Sequence, residues 1–245
     1  LIVSEAHIQF KVGVDKTDSL NSPNFLIEEI DLYLSDAQEE FIEQRAYGNN
    51  FRRESVEETQ KRVSDLQSIT ENVNISTFVN NANNKPNGQF VALPSNYRHA
   101  LTEEVTVSYL DCNNSTVTTR IPIQALTHDQ YNTMIANPFA RPNINGGFRL
   151  PYGRFNSQEH FEIIIPQGFT LITYHLRYLK NPAKINKAQR IIPPATTPYG
   201  LSGTDIMDLK DECYREVIRL AIRNALGDIE SPRTQESIQR LNEIE

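Results

Sequence analysis

FLIEEIDLYLSDAQEEFIEQRAYGNNFRRESVEETQKRVSDLQSI, residues 25–69, reads as two helices joined by a short polar turn. Ser22 or Asn24 can cap the first helix, and Pro23 suits a first helical position. Ile27, Ile30, Leu34, Ala37 and Phe41 then follow at alternating spacings of three and four, a seam that faces one partner. Gly48 is the expected stop, because glycine takes the left-handed conformation that closes a helix. Ser55 and Glu58 form a capping-box pattern, and Val56, Thr59, Val63 and Leu66 repeat the seam spacing. Two helices with matching seams and a short link make an antiparallel hairpin. Leu32 lies roughly 200° around the helix from Ile30, and Phe25 falls beside Leu32. The first helix therefore has an apolar side opposite its seam, which is either a second layer of the same domain or a subunit contact.

N-terminal to this hairpin, HIQFKVGV at 7–14 alternates apolar and polar residues and predicts a strand with one wet face. C-terminal to it, residues 72–87 are rich in Asn, with NNKPNG as the strongest turn signal, and read as a loop into another module. Val105, Val107 and Tyr109 alternate with polar residues, and so do Val117, Thr119, Ile121 and Ile123 after DCNNS, which predicts a hairpin. Thr127 and Gln130 make a capping-box pattern for a short helix that ends before NPFARPN. Strand signals return at 161–165 and 171–179, so the middle reads as a small sheet with one short helix. NPAKINKAQRIIPPATTPYG, 181–200, has the composition of a linker or extended arm. From 205 to 229 apolar side chains occupy well over half the helix circumference, as expected of a surrounded helix. A last helix follows from Ser231, with Ile238, Leu241 and Ile244 aligned.

These signals divide the chain into an N-terminal strand or arm with the helical hairpin (1–71), a β-rich insertion with one short helix (72–183), an extended linker or arm (184–204) and C-terminal helices that complete the helical body (205–245). The expected class is α+β: a helical body of N-terminal hairpin and C-terminal helices, carrying the β-rich insertion.

Composition excludes several function classes. With 38% hydrophobic and 22% charged residues, the 245-residue chain has an ordinary globular balance. Its longest apolar runs fall far short of the roughly 20 residues that cross a bilayer, and the N-terminus lacks the pattern of a signal peptide. Cys112 and Cys213 do not make a disulfide framework and are expected to be reduced, buried thiols. The net charge of -7 is unevenly spread. Residues 1–111 hold 18 acidic and 9 basic side chains, residues 112–200 hold 3 and 9, and residues 201–245 hold 10 and 6. Helix-favouring Glu explains part of this division; an assembly surface on which opposite potentials of neighbouring subunits meet explains it equally well.

No catalytic, cofactor or metal site emerges. The five histidines are scattered, with no two at metal-ligand spacing. GGFRLPYG at 146–153 lacks the context and the Lys-Ser/Thr ending of a phosphate loop and reads as a flexible turn. There is no nucleophile elbow. Adjacent acidic pairs such as Glu28/Glu29 and Glu39/Glu40 point about 100° apart on a helix, which marks solvated faces. Arg141, Arg149, Arg154, Lys184, Lys187 and Arg190 form a candidate basic surface. Phe25, Leu32, Ile218, Ile222, Leu226 and Ile229 are the candidate subunit contacts.

The order of several separated phrases, HIQFKVGVDKTDS, EEIDLYLSDAQEEFIEQR, ETQKRVSDLQSI, LPSNYRHAL, HDQYNTMIANPFARP and VIRLAIRNALGDIESPR, resembles the neck ring proteins of crAss-like tailed bacteriophages. The resemblance covers most of the chain and is weakest at 72–87 and 184–200. It implies a non-enzymatic virion structural protein, made in the bacterial host cytoplasm, whose ring of twelve copies sits between portal and tail. It also implies a helical body similar to head-to-tail adaptors. The implied partners are other copies of the chain, the portal, other neck or tail rings and, non-specifically, genomic DNA in the channel, with no membrane. The competing readings are another tail or capsid-associated component, and a β-module that binds glycan or peptide.

Overall fold

The computed structural model describes residues 3–14, 25–46, 60–79, 85–155, 158–185 and 208–228. The chain forms two compact units, residues 70–181 and the flanking 1–69 with 182–245. The expectation of a helical adaptor-like body with a small β-rich insertion is overturned. The described residues form a mixed α+β fold dominated by an eight-stranded curled sheet, a half-barrel, with five helices.

In the sheet unit the strands are β1 (Thr70–Ile75), β2 (Phe78–Val79), β3 (Gly88–Ala92), β4 (Tyr97–Leu110), β5 (Thr116–Ala125), β6 (Gly147–Phe155), β7 (Gln158–Ile164) and β8 (Thr170–Lys180). Their order is β1-β8-β4-β5-β6-β7-β3-β2. All pairs are antiparallel except β5 and β6, which run parallel. The order itself forces the curl. β1 and β2 lie at opposite edges, yet Ser76 and Thr77 alone join them, a span of at most about 10 Å. A flat sheet of eight strands would hold its edges about 34 Å apart.

Side-chain alternation sorts the sheet into two faces. Val105, Val107, Ile121, Phe161, Ile163, Leu171, Tyr174 and Leu176 form one core, to which both ends of the strand order contribute. Phe148, Leu150 and Ile164 face the other way, with Leu126 and Tyr131 completing a smaller core beside the helix His128–Ala136. Thr127 caps that helix as its spacing predicts, accepting from the Gln130 N–H, while the Gln130 side chain accepts from the Thr127 N–H at 3.1 Å.

The helical unit contains α1 (Val3–Val14), α2 (Ile27–Ala46), α3 (Gln60–Leu66) and the C-terminal α5 (Tyr214–Asp228); the helix at 128–136 is α4. The expected strand at 7–14 is instead part of α1, whose buried residues Val3, Ala6, His7, Phe10 and Val14 follow a helical period. The pattern that suggested a strand was a subset of this longer one. Two further expectations are corrected. The Asn-rich stretch read as a loop contains most of β1 and all of β2, and the glycine-containing stretch read as a flexible turn is largely β6.

Of the α2 seam, Ile30, Leu34, Ala37 and Phe41 are buried as its spacing implies, and Ile27 is half-buried. Val217, Ile218, Leu220, Ala221 and Ala225 of α5 are buried in the same unit. Arg45 of α2 bridges Asp65 at 3.3 Å and Glu216, and Arg223 pairs with Glu40. His7 and Asp31, both buried, meet at 2.7 Å. The proposed caps at Ser22 and Asn24, the stop at Gly48, the capping box at Ser55/Glu58 and the last helix after Ser231 lie outside the described residues.

Candidate interaction surface

The described residues contain no group of three or more His, Cys, Asp or Glu side chains that could hold a metal ion. Cys213 is buried, and burial, reinforced by Asp65 and Glu216, pushes its thiol up to about 12, which keeps it an inert thiol at neutral pH. Cys112 is exposed in the β4–β5 turn, contrary to the expectation that both thiols are buried.

One face of β1, β8, β4 and β5 carries a polar groove lined by Asn72, Asn74, Glu104, Arg120, His175 and Arg177. Its side chains satisfy one another. His175 spans two strands, with Nδ1 2.7 Å from Asn74 Oδ1 and Nε2 2.8 Å from Thr106 Oγ1. Arg177 donates to Asn72 at 2.8 Å, and Arg120 pairs with Glu104 at 3.3 Å. Partial burial, with Arg120 adding to it, holds the His175 imidazolium below its usual range. The groove is a cross-strand network and presents no reactive set.

Of the candidate basic residues, Arg141 and Lys184 are exposed. Arg149 is turned inward: it meets Glu103 at 3.0 Å, lies 4.2 Å over the Phe161 ring, and shares Glu103 with the Tyr174 hydroxyl, which donates at 2.7 Å. The Arg154 side chain, Lys187 and Arg190 lie outside the described residues.

The candidate subunit contacts differ in exposure. Leu32 is 53% exposed. Phe25 is half-buried and packs edge-on against Phe10 and Tyr33, with ring centroids at 5.5 and 5.9 Å. Ile218 is buried, Leu226 is half-buried, and Ile222 is half-buried against Gly13 of α1. Ile229 lies outside the described residues. On α1, Ile8 and Val12 are more than half exposed one turn apart, a stripe that the strand reading concealed.

Phe139, which no periodic pattern singles out, is the most exposed large apolar side chain among the described residues, at 94%. It sits in the loop after α4, whose shape is set by hydrogen bonds. The Phe139 N–H donates to Asn137 Oδ1 at 3.0 Å, the Ala140 N–H donates to the Asn137 carbonyl at 3.1 Å, and Arg141 Nε donates to the Ile135 carbonyl at 2.7 Å. Asn143 and Gly146 close the loop as a bridge. The sequence cue was an aromatic between two prolines, too short to show periodicity.

A model of the family described as phage tail ring protein 3/4 matches residues 3–232. No curated protein matches the chain.

Proposed function

The chain belongs to the phage tail ring protein 3/4 family of crAss-like phages, a virion structural group whose members assemble into rings with other tail ring proteins, and from that premise we propose that it builds a neck ring of twelve copies. This ring connects portal to tail and extends the channel through which DNA passes. The observation that carries the reading is the extent of the match, which runs from α1 through α5 and so takes in both units as one ring subunit.

The exposed surface is compatible with assembly. A ring is one contact repeated around an axis, so each subunit offers two different complementary faces. Ile8 and Val12 on α1, Leu32 on α2 and Phe139 after α4 are apolar and exposed. Arg141 and Lys184 offer positive charge to an acidic neighbour or to DNA. No helix of the described residues is long and apolar enough to cross a membrane. Synthesis in the bacterial host cytoplasm, followed by incorporation into the virion, fits this role.

The reading is tested by measuring the mass of the assembled protein and imaging it by electron microscopy. The expected result is a ring of twelve times 28.0 kDa with a central channel, seated between portal and tail in the particle. A protein that stays a monomer at high concentration and is missing from the neck of the particle overturns it.

A further inference from the structure

Among the described residues, the helical unit carries a groove and the sheet unit an exposed aromatic loop. The groove, about 220 Å3, is lined by Leu32, Asp36, Gln38 and Glu39 of α2 and by Pro182, Lys184 and Ile185 of the segment lying against it. That segment is tied down. Gln38 Nε2 donates to the Ala183 carbonyl at 3.3 Å, and the Ile185 N–H donates to Ser35 Oγ at 3.1 Å. The Ala183 N–H donates to Asp208 at 2.7 Å. Gln38 is 1% exposed, and its Oε1 accepts no hydrogen bond among the described residues. The space is ample for an aromatic ring, since a cavity of about 150 Å3 accepts benzene. With Leu32, Pro182 and Ile185 on its wall beside Asp36 and Glu39, the groove suits an apolar group followed closely by a cation.

The loop from Asn137 to Gly146 carries that pair. Phe139 stands almost wholly in solvent on a hydrogen-bonded turn, and Arg141, two residues on, is exposed. Aromatic and Arg side chains are the residues that most often anchor interfaces, and a pre-ordered loop loses little freedom on docking. We infer that in the ring the Asn137–Gly146 loop of each copy places Phe139 in the groove between α2 and the Pro182–Ile185 segment of the next copy, where Arg141 meets Asp36. Each copy then offers one knob and one groove, the two unlike faces that a head-to-tail ring contact requires. The inference rests on the ring reading and names its contact.

The test uses full-length chains in which Cys112→Ser removes the exposed thiol. Leu32→Cys and Phe139→Cys are made in separate proteins, mixed, allowed to assemble and oxidised mildly. The expected result is a disulfide-linked dimer from the mixture and none from either protein alone, with a ladder of linked oligomers when one chain carries both substitutions. Arg141→Glu is expected to weaken assembly at least tenfold, and adding Asp36→Arg to restore it. Rings of the expected mass without the 32–139 link overturn the docking contact and leave the ring reading standing. Absence of any oligomer from the chain with Leu32 and Phe139 intact overturns both. A 32–139 link formed within one monomer also overturns the contact.

Discussion

Arg149 shows how one side chain can carry a charge that is legible in the sequence and a position that is not. As one of nine basic residues between 112 and 200 it counts toward a positive middle. Its neighbours Phe148 and Leu150 face α4, so alternation sends Arg149 to the other side of the sheet, against Glu103, Tyr174 and Phe161. Breaking a buried pair by removing one partner leaves the other charge uncompensated. Arg149→Met is expected to destabilise the sheet unit by about 3–5 kcal/mol, measured by urea denaturation, whereas the double variant with Glu103→Leu recovers a large part of that loss. His175 supplies a pH dependence. The unfolded chain takes up its proton near pH 6.5, but the folded chain only at lower pH, because partial burial and Arg120 disfavour the imidazolium. Its contribution to stability is therefore present above about pH 6.5 and lost as pH falls through the folded value. The urea midpoint of the native protein is expected to drop between about pH 7.5 and 5.5 more steeply than that of His175→Gln.

At the scale of elements, what was legible depended on whether the burial pattern coincided with residue preference. The α2 seam and the β4 and β5 alternation were clear because apolar side chains occupied the buried positions and good formers occupied the rest. In α1 the residues Ile8, Phe10, Val12 and Val14 mimic a strand, and the helical set is apparent only when Val3, Ala6 and His7 are added. Strand β1 was hidden by Asn72 and Asn74, which are poor strand formers and are held by Arg177 and His175 across the ladder. Strand β6 was hidden by Gly147, Pro151 and Gly153. Gly147 is there for space: a Cβ would stand 2.8 Å from the Ile164 carbonyl oxygen and 2.8 Å from Ile123 Cδ1, on the strands to either side. Gly147→Ala is therefore expected to cost about 1–3 kcal/mol. Amide exchange should report the loss as faster exchange in β6 and its neighbours β5 and β7 while α2 and α5 keep their protection.

At the scale of the whole molecule, periodicity located most strands but could not give their order. The parallel β5–β6 pair and the placement of β1 and β2 at opposite edges depend on contacts distant in sequence, and no local pattern encodes them. The same topology carries a consequence for autonomy. Thr70, the first residue of the sheet unit, is the ladder partner of Leu179, two residues before its last, Asn181. The unit therefore enters and leaves at neighbouring points of one strand pair and encloses its own two apolar clusters. A segment with adjacent ends and a private core meets the conditions for folding alone. Residues 70–181 expressed by themselves are expected to unfold in a single cooperative transition, with circular dichroism dominated by strand. In the full chain, Phe90→Ala is expected to destabilise this unit by about 3–5 kcal/mol, because Phe90 is wholly buried there. Tyr33, whose hydroxyl donates to Asp228 at 2.8 Å within the helical unit, should retain its ultraviolet signature through that lowered transition. Failure of the isolated segment to fold, or loss of the helical unit together with the sheet in Phe90→Ala, would show that the two units form one cooperative structure.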